Sequence, residues 1–140
     1  METMKLYNGV EVPANGFGVY QVSKEDCKES VLTALKTGYR HIDTAQSYFN
    51  ENEVGEALKE SDVPRKEIFL TTKVWIDNYG EGKTYDSVVE SLKKLQTDYL
   101  DLILLHQPVG DYYAAYRDLE KLYEEGKVRA IGVSNFYPHR

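Results

Sequence analysis

Three titratable side chains of different types each follow a short apolar run. Asp43 comes after Ile42, Lys73 after Ile68-Phe69-Leu70-Thr71-Thr72, and His106 after Leu102-Ile103-Leu104-Leu105, while Tyr48 stands five residues beyond Asp43. A tyrosine with a pKa near 10 is a poor acid at neutral pH. A lysine ammonium within a few ångströms lowers that pKa, and a carboxylate paired to the lysine keeps it in place. A histidine beside the phenol can orient a carbonyl by hydrogen bonding. Together the four suit proton delivery to a polarised oxygen. Singly they have plainer readings: a helix-approach cap for Asp43, a solvated strand end for Lys73, a satisfied loop histidine for His106 and packing for Tyr48.

The elements that must position them repeat along the chain. Short apolar strands centre near Val19, Ile42, Leu70, Ile103 and Ile131, spaced by 23, 28, 33 and 28 residues, the length of a βα unit. Helical segments lie between. Ser23 can cap the first, with Asp26 in its first turn, an apolar stripe of Cys27, Val31 and Leu35, and a stop at Gly38. Asn50 and Glu53 resemble a capping box ahead of Val54, Ala57 and Leu58. Thr84 precedes a third helix, and Asp111 precedes a fourth that Gly126 closes. Asn8-Gly9 between apolar stretches predicts a small N-terminal hairpin. Strand–helix alternation gives an α/β class with a parallel sheet. Leu102 to Leu105 predicts a strand buried on both faces. In such folds the ligand site lies at the C-terminal ends of the strands, and neighbouring strands sit about 4.8 Å apart. Asp43, Lys73 and His106 can therefore converge on one pocket. The pattern alone leaves open whether the sheet is doubly wound or a barrel.

Several long runs carry a family resemblance: His41-Ile42-Asp43-Thr44-Ala45-Gln46-Ser47-Tyr48, Thr72-Lys73-Val74-Trp75, Leu104-Leu105-His106-Gln107-Pro108, and Gly126 through Phe136 with its Ile131-Gly132-Val133-Ser134-Asn135 core. With Asn8-Gly9-Val10 and Gly16-Phe17-Gly18-Val19-Tyr20, these runs are similar to the aldo-keto reductase superfamily, nearest its bacterial diketogluconate and methylglyoxal reductases. The resemblance implies a partial TIM-type (β/α)8 barrel, with about five parallel strands, four helices and an N-terminal β-hairpin. It implies reduction of aldehydes and ketones with NADPH or NADH. Tyr48 would be the general acid, Lys73 and Asp43 would tune it, and His106 would orient the carbonyl. Gly18, Tyr20, Asp43, Ser134 and Asn135 would lie against the cofactor, and Tyr20, Trp75 and His106 against the substrate.

Composition narrows the classes. With 41% hydrophobic and 29% charged residues the chain reads as one globular domain, residues 1–140. A net charge of -6 argues against nucleic acid or an anionic membrane as the main partner. No apolar run approaches the roughly 20 residues of a membrane helix. One cysteine excludes an internal disulfide and fits a reducing cytoplasm. His41 and His139 lack companions at metal-ligand spacing, so no metal is expected. Cys27 reads as core, Lys93-Lys94 as a solvated face, and Tyr112, Tyr113 and Tyr116 as a packing face. The family barrel needs about 250 residues, so cofactor binding by these 140 residues is expected to be weak or absent. Two readings follow, a carbonyl reductase or a non-catalytic half barrel with a relic site. Open edges at the first and fifth strands, with inner-face residues such as Ile42, Leu70 and Ile103, predict a homo-oligomer.

Overall fold

A computed structural model describes residues 3–6, 8–13, 16–19, 22–106 and 110–133. Two short strands, β1 (Thr3–Lys5) and β2 (Glu11–Pro13), pair antiparallel. Their turn places Gly9 at φ 86°, and the Gly9 N–H donates to the Leu6 carbonyl. This is the hairpin that Asn8-Gly9 predicts.

Five parallel strands follow: β3 (Gly16–Gly18), β4 (His41–Asp43), β5 (Phe69–Val74), β6 (Leu102–Leu105) and β7 (Ile131–Val133). Between them run the helices α1 (Lys24–Lys36), α2 (Glu51–Glu60), α3 (Lys83–Leu95) and α4 (Tyr112–Glu124). The strand order is β3-β4-β5-β6-β7, without the reversal that defines a doubly wound sheet. Each helix packs on the next, α1 on α2, α2 on α3 and α3 on α4. This is the partial (β/α)8 barrel. The first parallel strand begins earlier than its apolar centre suggests. Val19 lies just past β3, where its N–H donates to the Asp43 carbonyl at 3.1 Å.

Side-chain alternation divides the sheet into two faces. Ile42, Leu70, Val74, Ile103 and Leu105 are fully buried among the helices. Each such side chain contributes about 1.5–3 kcal/mol by leaving water. His41, Asp43, Lys73, Leu102 and Leu104 alternate with them and are half-buried. The alternation corrects two expectations. Leu102 to Leu105 is not buried on both faces, because its apolar run hides a half-buried inner stripe. Ile42, Leu70 and Ile103 face the helices and cannot be the surface an open barrel would leave wet.

Local signals set most helix ends. The Ser23 hydroxyl accepts from the Asp26 N–H and donates to the Asp26 carboxylate. Gly38, at φ 112°, ends α1 with its N–H on the Leu35 carbonyl. Gly126 ends α4 in the same way at φ 79°, its N–H on the Tyr123 carbonyl. Thr84 lies inside the first turn of α3 rather than before it, because Gly82 takes the cap position.

The end of the sheet where the strands begin is held by a buried carboxylate. Asp101 accepts from Arg65 at 3.0 Å, from Arg129 at 2.7 Å and from the Leu70 N–H at 2.8 Å. The hairpin docks at this same end, with the Asn8 amide donating to the Arg129 carbonyl. It therefore lies opposite Asp43, Lys73 and His106. His41 starts β4 there, with Nε2 3.0 Å from the Thr71 hydroxyl and its ring edge-on to Phe69 at 5.1 Å.

Two expected outcomes test this packing. Gly55 is the contact point of α2 on α3, where a Cβ would press on the Lys94 carbonyl and come within 2.9 Å of Leu95 Cα. Gly55→Ala is expected to destabilise by about 1–3 kcal/mol, despite alanine's higher helix propensity. An unchanged urea midpoint would mean that the two helices separate at no cost. Burial, before any charge, pushes the His41 pKa below its ordinary 6.5, with Lys73 acting in the same direction and Asp43 and the Pro13 carbonyl against it. The folded state therefore favours neutral His41. Its contribution to stability is complete above 6.5 and is lost as pH falls through the depressed folded pKa. The stability difference between wild type and His41→Gln should shrink on acidification. A difference constant between about pH 5 and 7 would contradict it.

Candidate active site

The four chemistry-bearing residues reach one place from three parallel strands and one turn. Asp43 ends β4 with Thr71 as its register partner, and Lys73 lies two residues further along β5 on the same face. The lysine reaches back, its Nζ donating to Asp43 Oδ1 at 2.5 Å and to the Tyr48 hydroxyl at 3.3 Å, with the Thr44 carbonyl at 3.4 Å. Its side chain is only 12% exposed against 34% for Asp43, so the ammonium depends on these oxygens more than on water. It also lies 5.2 Å from the centroid of the Tyr48 ring. Tyr48 is carried by a 3₁₀ turn, Gln46–Tyr48, that follows β4 directly.

His106 continues β6 by one residue, its N–H donating to the Val74 carbonyl at 3.0 Å. Its ring stands nearly perpendicular to Tyr48, with centroids 6.2 Å apart, and to Trp75 at 5.4 Å. Ser47 Oγ lies 3.4 Å from His106 Nδ1. Burial and then the Lys73 ammonium hold the imidazole below its ordinary pKa, with Asp43 opposing. The ring is therefore neutral at pH 7, with one nitrogen to donate and one to accept.

Gly18 ends β3 opposite Asp43 in register. A Cβ built on it would meet nothing within 4 Å. Tyr20, Ser134 and Asn135 lie outside the described residues, as do Gln107, Pro108 and His139. Among the described residues no three His, Cys, Asp or Glu side chains gather as a metal centre requires.

A layer of buried polar residues behind the tetrad was not singled out in the sequence. The Thr44 hydroxyl donates to Asn50 Oδ1 at 2.9 Å, and Asn50 Nδ2 donates to the Val19 carbonyl at 3.0 Å. Asn50 therefore joins the ends of β3 and β4 instead of capping α2 with its side chain. Its expected capping partner Glu53 has an Oε1 with no hydrogen bond among the described residues. Glu51 accepts from the Thr72 hydroxyl at 2.6 Å and the Ser91 hydroxyl at 3.0 Å, and burial raises its pKa. Gln46 links its own turn and the segment after β5 to α3. The available signal was a cluster of polar residues, Gln46 and Asn50-Glu51, within and just after a motif. Elsewhere Cys27 is buried, with a thiol pKa pushed up to about 11 by burial and then Glu53. Tyr112 and Tyr116 pack against the core, but Tyr113 is 69% exposed and stacks on Tyr112, so it is no part of a packing face.

Residues 13–140 match the model of the Aldo/keto reductase family. The chain is 52% identical over 140 residues to the glyoxal reductase of Bacillus subtilis, covering 99% of this chain and 51% of that protein. An aldo/keto reductase from Brucella melitensis superposes with a TM-score of 0.94 at 46% identity, covering 98% of this chain and 55% of the other. The aldo-keto reductase of Bombyx mori, solved in complex with NADP, gives a TM-score of 0.91 at 34% identity, over 96% of this chain and 50% of that one. The chain thus spans about half the length of the relatives it matches. A family match over nearly all of the sequence, on the sheet order described above, makes this chain a member of the aldo/keto reductase family.

Proposed function

We propose that the protein carrying this chain reduces small aldehydes and ketones to alcohols, and that these residues hold its proton-donating site. The observation that carries the reading is the Lys73 ammonium bridging Asp43 and the Tyr48 hydroxyl. The ammonium lies 3.3 Å from the phenol oxygen, where negative charge would develop as the proton leaves. Asp43 keeps the lysine aimed. Tyr48 gives its proton to the carbonyl oxygen, while neutral His106 donates a hydrogen bond to that oxygen and fixes its direction. A bound reduced nicotinamide nucleotide, NADPH or NADH, supplies the hydride. Gly18, Tyr20, Asp43, Ser134 and Asn135 would contact that group, and Tyr20, Trp75 and His106 would enclose the substrate. The similarity to a glyoxal reductase supports a small dicarbonyl substrate. A lone, buried cysteine supports work in a reducing cytoplasm.

Three expected outcomes test the reading. In the protein assayed with glyoxal and NADPH, Tyr48→Phe should lower kcat by about 10²–10⁴, the usual contribution of a positioned proton donor. An unchanged kcat would remove Tyr48 from the reaction. A polypeptide of residues 1–140 alone should bind NADPH no more tightly than about 0.1 mM, since its relatives are about twice as long and several charge-assisted contacts of roughly 1.5–3 kcal/mol each would be lacking. With Leu102 and Leu104 half-buried on its inner face, it should also self-associate by light scattering. A monomer with micromolar affinity for NADPH would overturn both expectations.

A further inference from the structure

Gln46, beside the tetrad, makes five side-chain hydrogen bonds among the described residues, yet proton delivery assigns it no task. Its Oε1 accepts from the Trp75 N–H at 2.9 Å and from Asn78 Nδ2 at 2.8 Å. Its Nε2 faces Ser87 Oγ at 3.1 Å, Ser91 Oγ at 3.2 Å and the Ser87 carbonyl at 3.3 Å. The orientation of the amide is fixed by its partners. A backbone N–H can only donate and a backbone carbonyl can only accept. Both serine hydroxyl protons are committed elsewhere, Ser87 to the Thr84 carbonyl and Ser91 to Glu51. One side chain therefore ties the turn that carries Tyr48 to the loop that carries Trp75, and ties both to α3.

The tie matters because Trp75 borders a groove of about 400 Å³, lined also by Asp77, Asn78, Ser87, Glu90 and Lys94. Trp75 is the first residue after β5, so its N–H has no strand partner. Gln46 Oε1 replaces that partner and sets where the indole leaves the sheet, edge-on to His106 at 5.4 Å. We propose that Gln46 is a positioning residue that holds Trp75 against His106, and so sets the fit of the carbonyl substrate without touching it. The proposal rests on the carbonyl-reductase reading above.

The test uses two variants of the active protein. Gln46→Met keeps the length of the side chain and removes both polar atoms. Gln46→Glu keeps an acceptor for Trp75 and Asn78 but loses the donor. In Gln46→Met, exchange of the Trp75 amide followed by NMR should speed up about tenfold, while the Leu70 and Ile103 amides keep their rates. KM for glyoxal should rise roughly fivefold to tenfold, the scale of one lost hydrogen bond, with kcat within about twofold. Gln46→Glu should restore most of the Trp75 protection and of KM. An unaltered Trp75 amide in Gln46→Met would overturn the proposal, as would equal acceleration at Leu70 and Ile103 or a Gln46→Glu variant no better than Gln46→Met. Failure of the wild-type protein to reduce any carbonyl compound would instead sink the reductase reading, and the amide exchange would still decide whether Gln46 holds Trp75.

Discussion

An ammonium group that is mostly withdrawn from water needs compensating oxygens on every side it presents. Lys73 meets that condition with a carboxylate, a phenol and a backbone carbonyl, each from the segment that begins with β4. Neither strand can slip without breaking the set. A shift of one residue would turn Lys73 toward the helices, where Leu70, Thr72 and Val74 are buried, and leave the charge without a partner at a cost of several kcal/mol. The same register brings Asp43 opposite Gly18 and Lys73 opposite Leu104. One charged group thus fixes the alignment that the apolar core would otherwise specify only by its alternation.

What could be read from the sequence is what depends on near neighbours or on strand ends. Ser23 with Asp26, Gly38 and Gly126 act within a turn of the chain, and they do what their types suggest. Asp43, Lys73 and His106 were found because parallel strands repeat at a recognisable interval. The misreadings have a shared cause, which is competition from residues distant in sequence. Asn50 has the type and place of a cap, but the Val19 carbonyl and the Thr44 hydroxyl, 31 and 6 residues away, claim its side chain. Leu102 and Leu104 look like core because their run is apolar, yet they face inward beside His41, Asp43 and Lys73. Asp101 gave no local sign of its task. Its partners Arg65 and Arg129 lie 36 and 28 residues away.

The two ends of the sheet divide the work. Where the strands begin, a fully paired carboxylate clamp joins β5, β6 and the approach to β7, and its groups are used up in holding the fold. Where they end, the polar groups are arranged in two ranks. The rear rank of buried Thr44, Asn50, Glu51 and Ser91, with half-buried Gln46, is tied by hydrogen bonds to one another and to the backbone. The front rank stands on that support. The Tyr48 hydroxyl receives a long 3.3 Å contact, and the His106 ring stays neutral with two nitrogens of opposite character. On the proposed function, the front rank must exchange a proton while the rear rank keeps it in place. The motif from His41 to Glu51 meets both demands by alternation. Asp43 and Tyr48 turn toward Lys73, while Thr44, Gln46, Asn50 and Glu51 between and after them turn back into the fold.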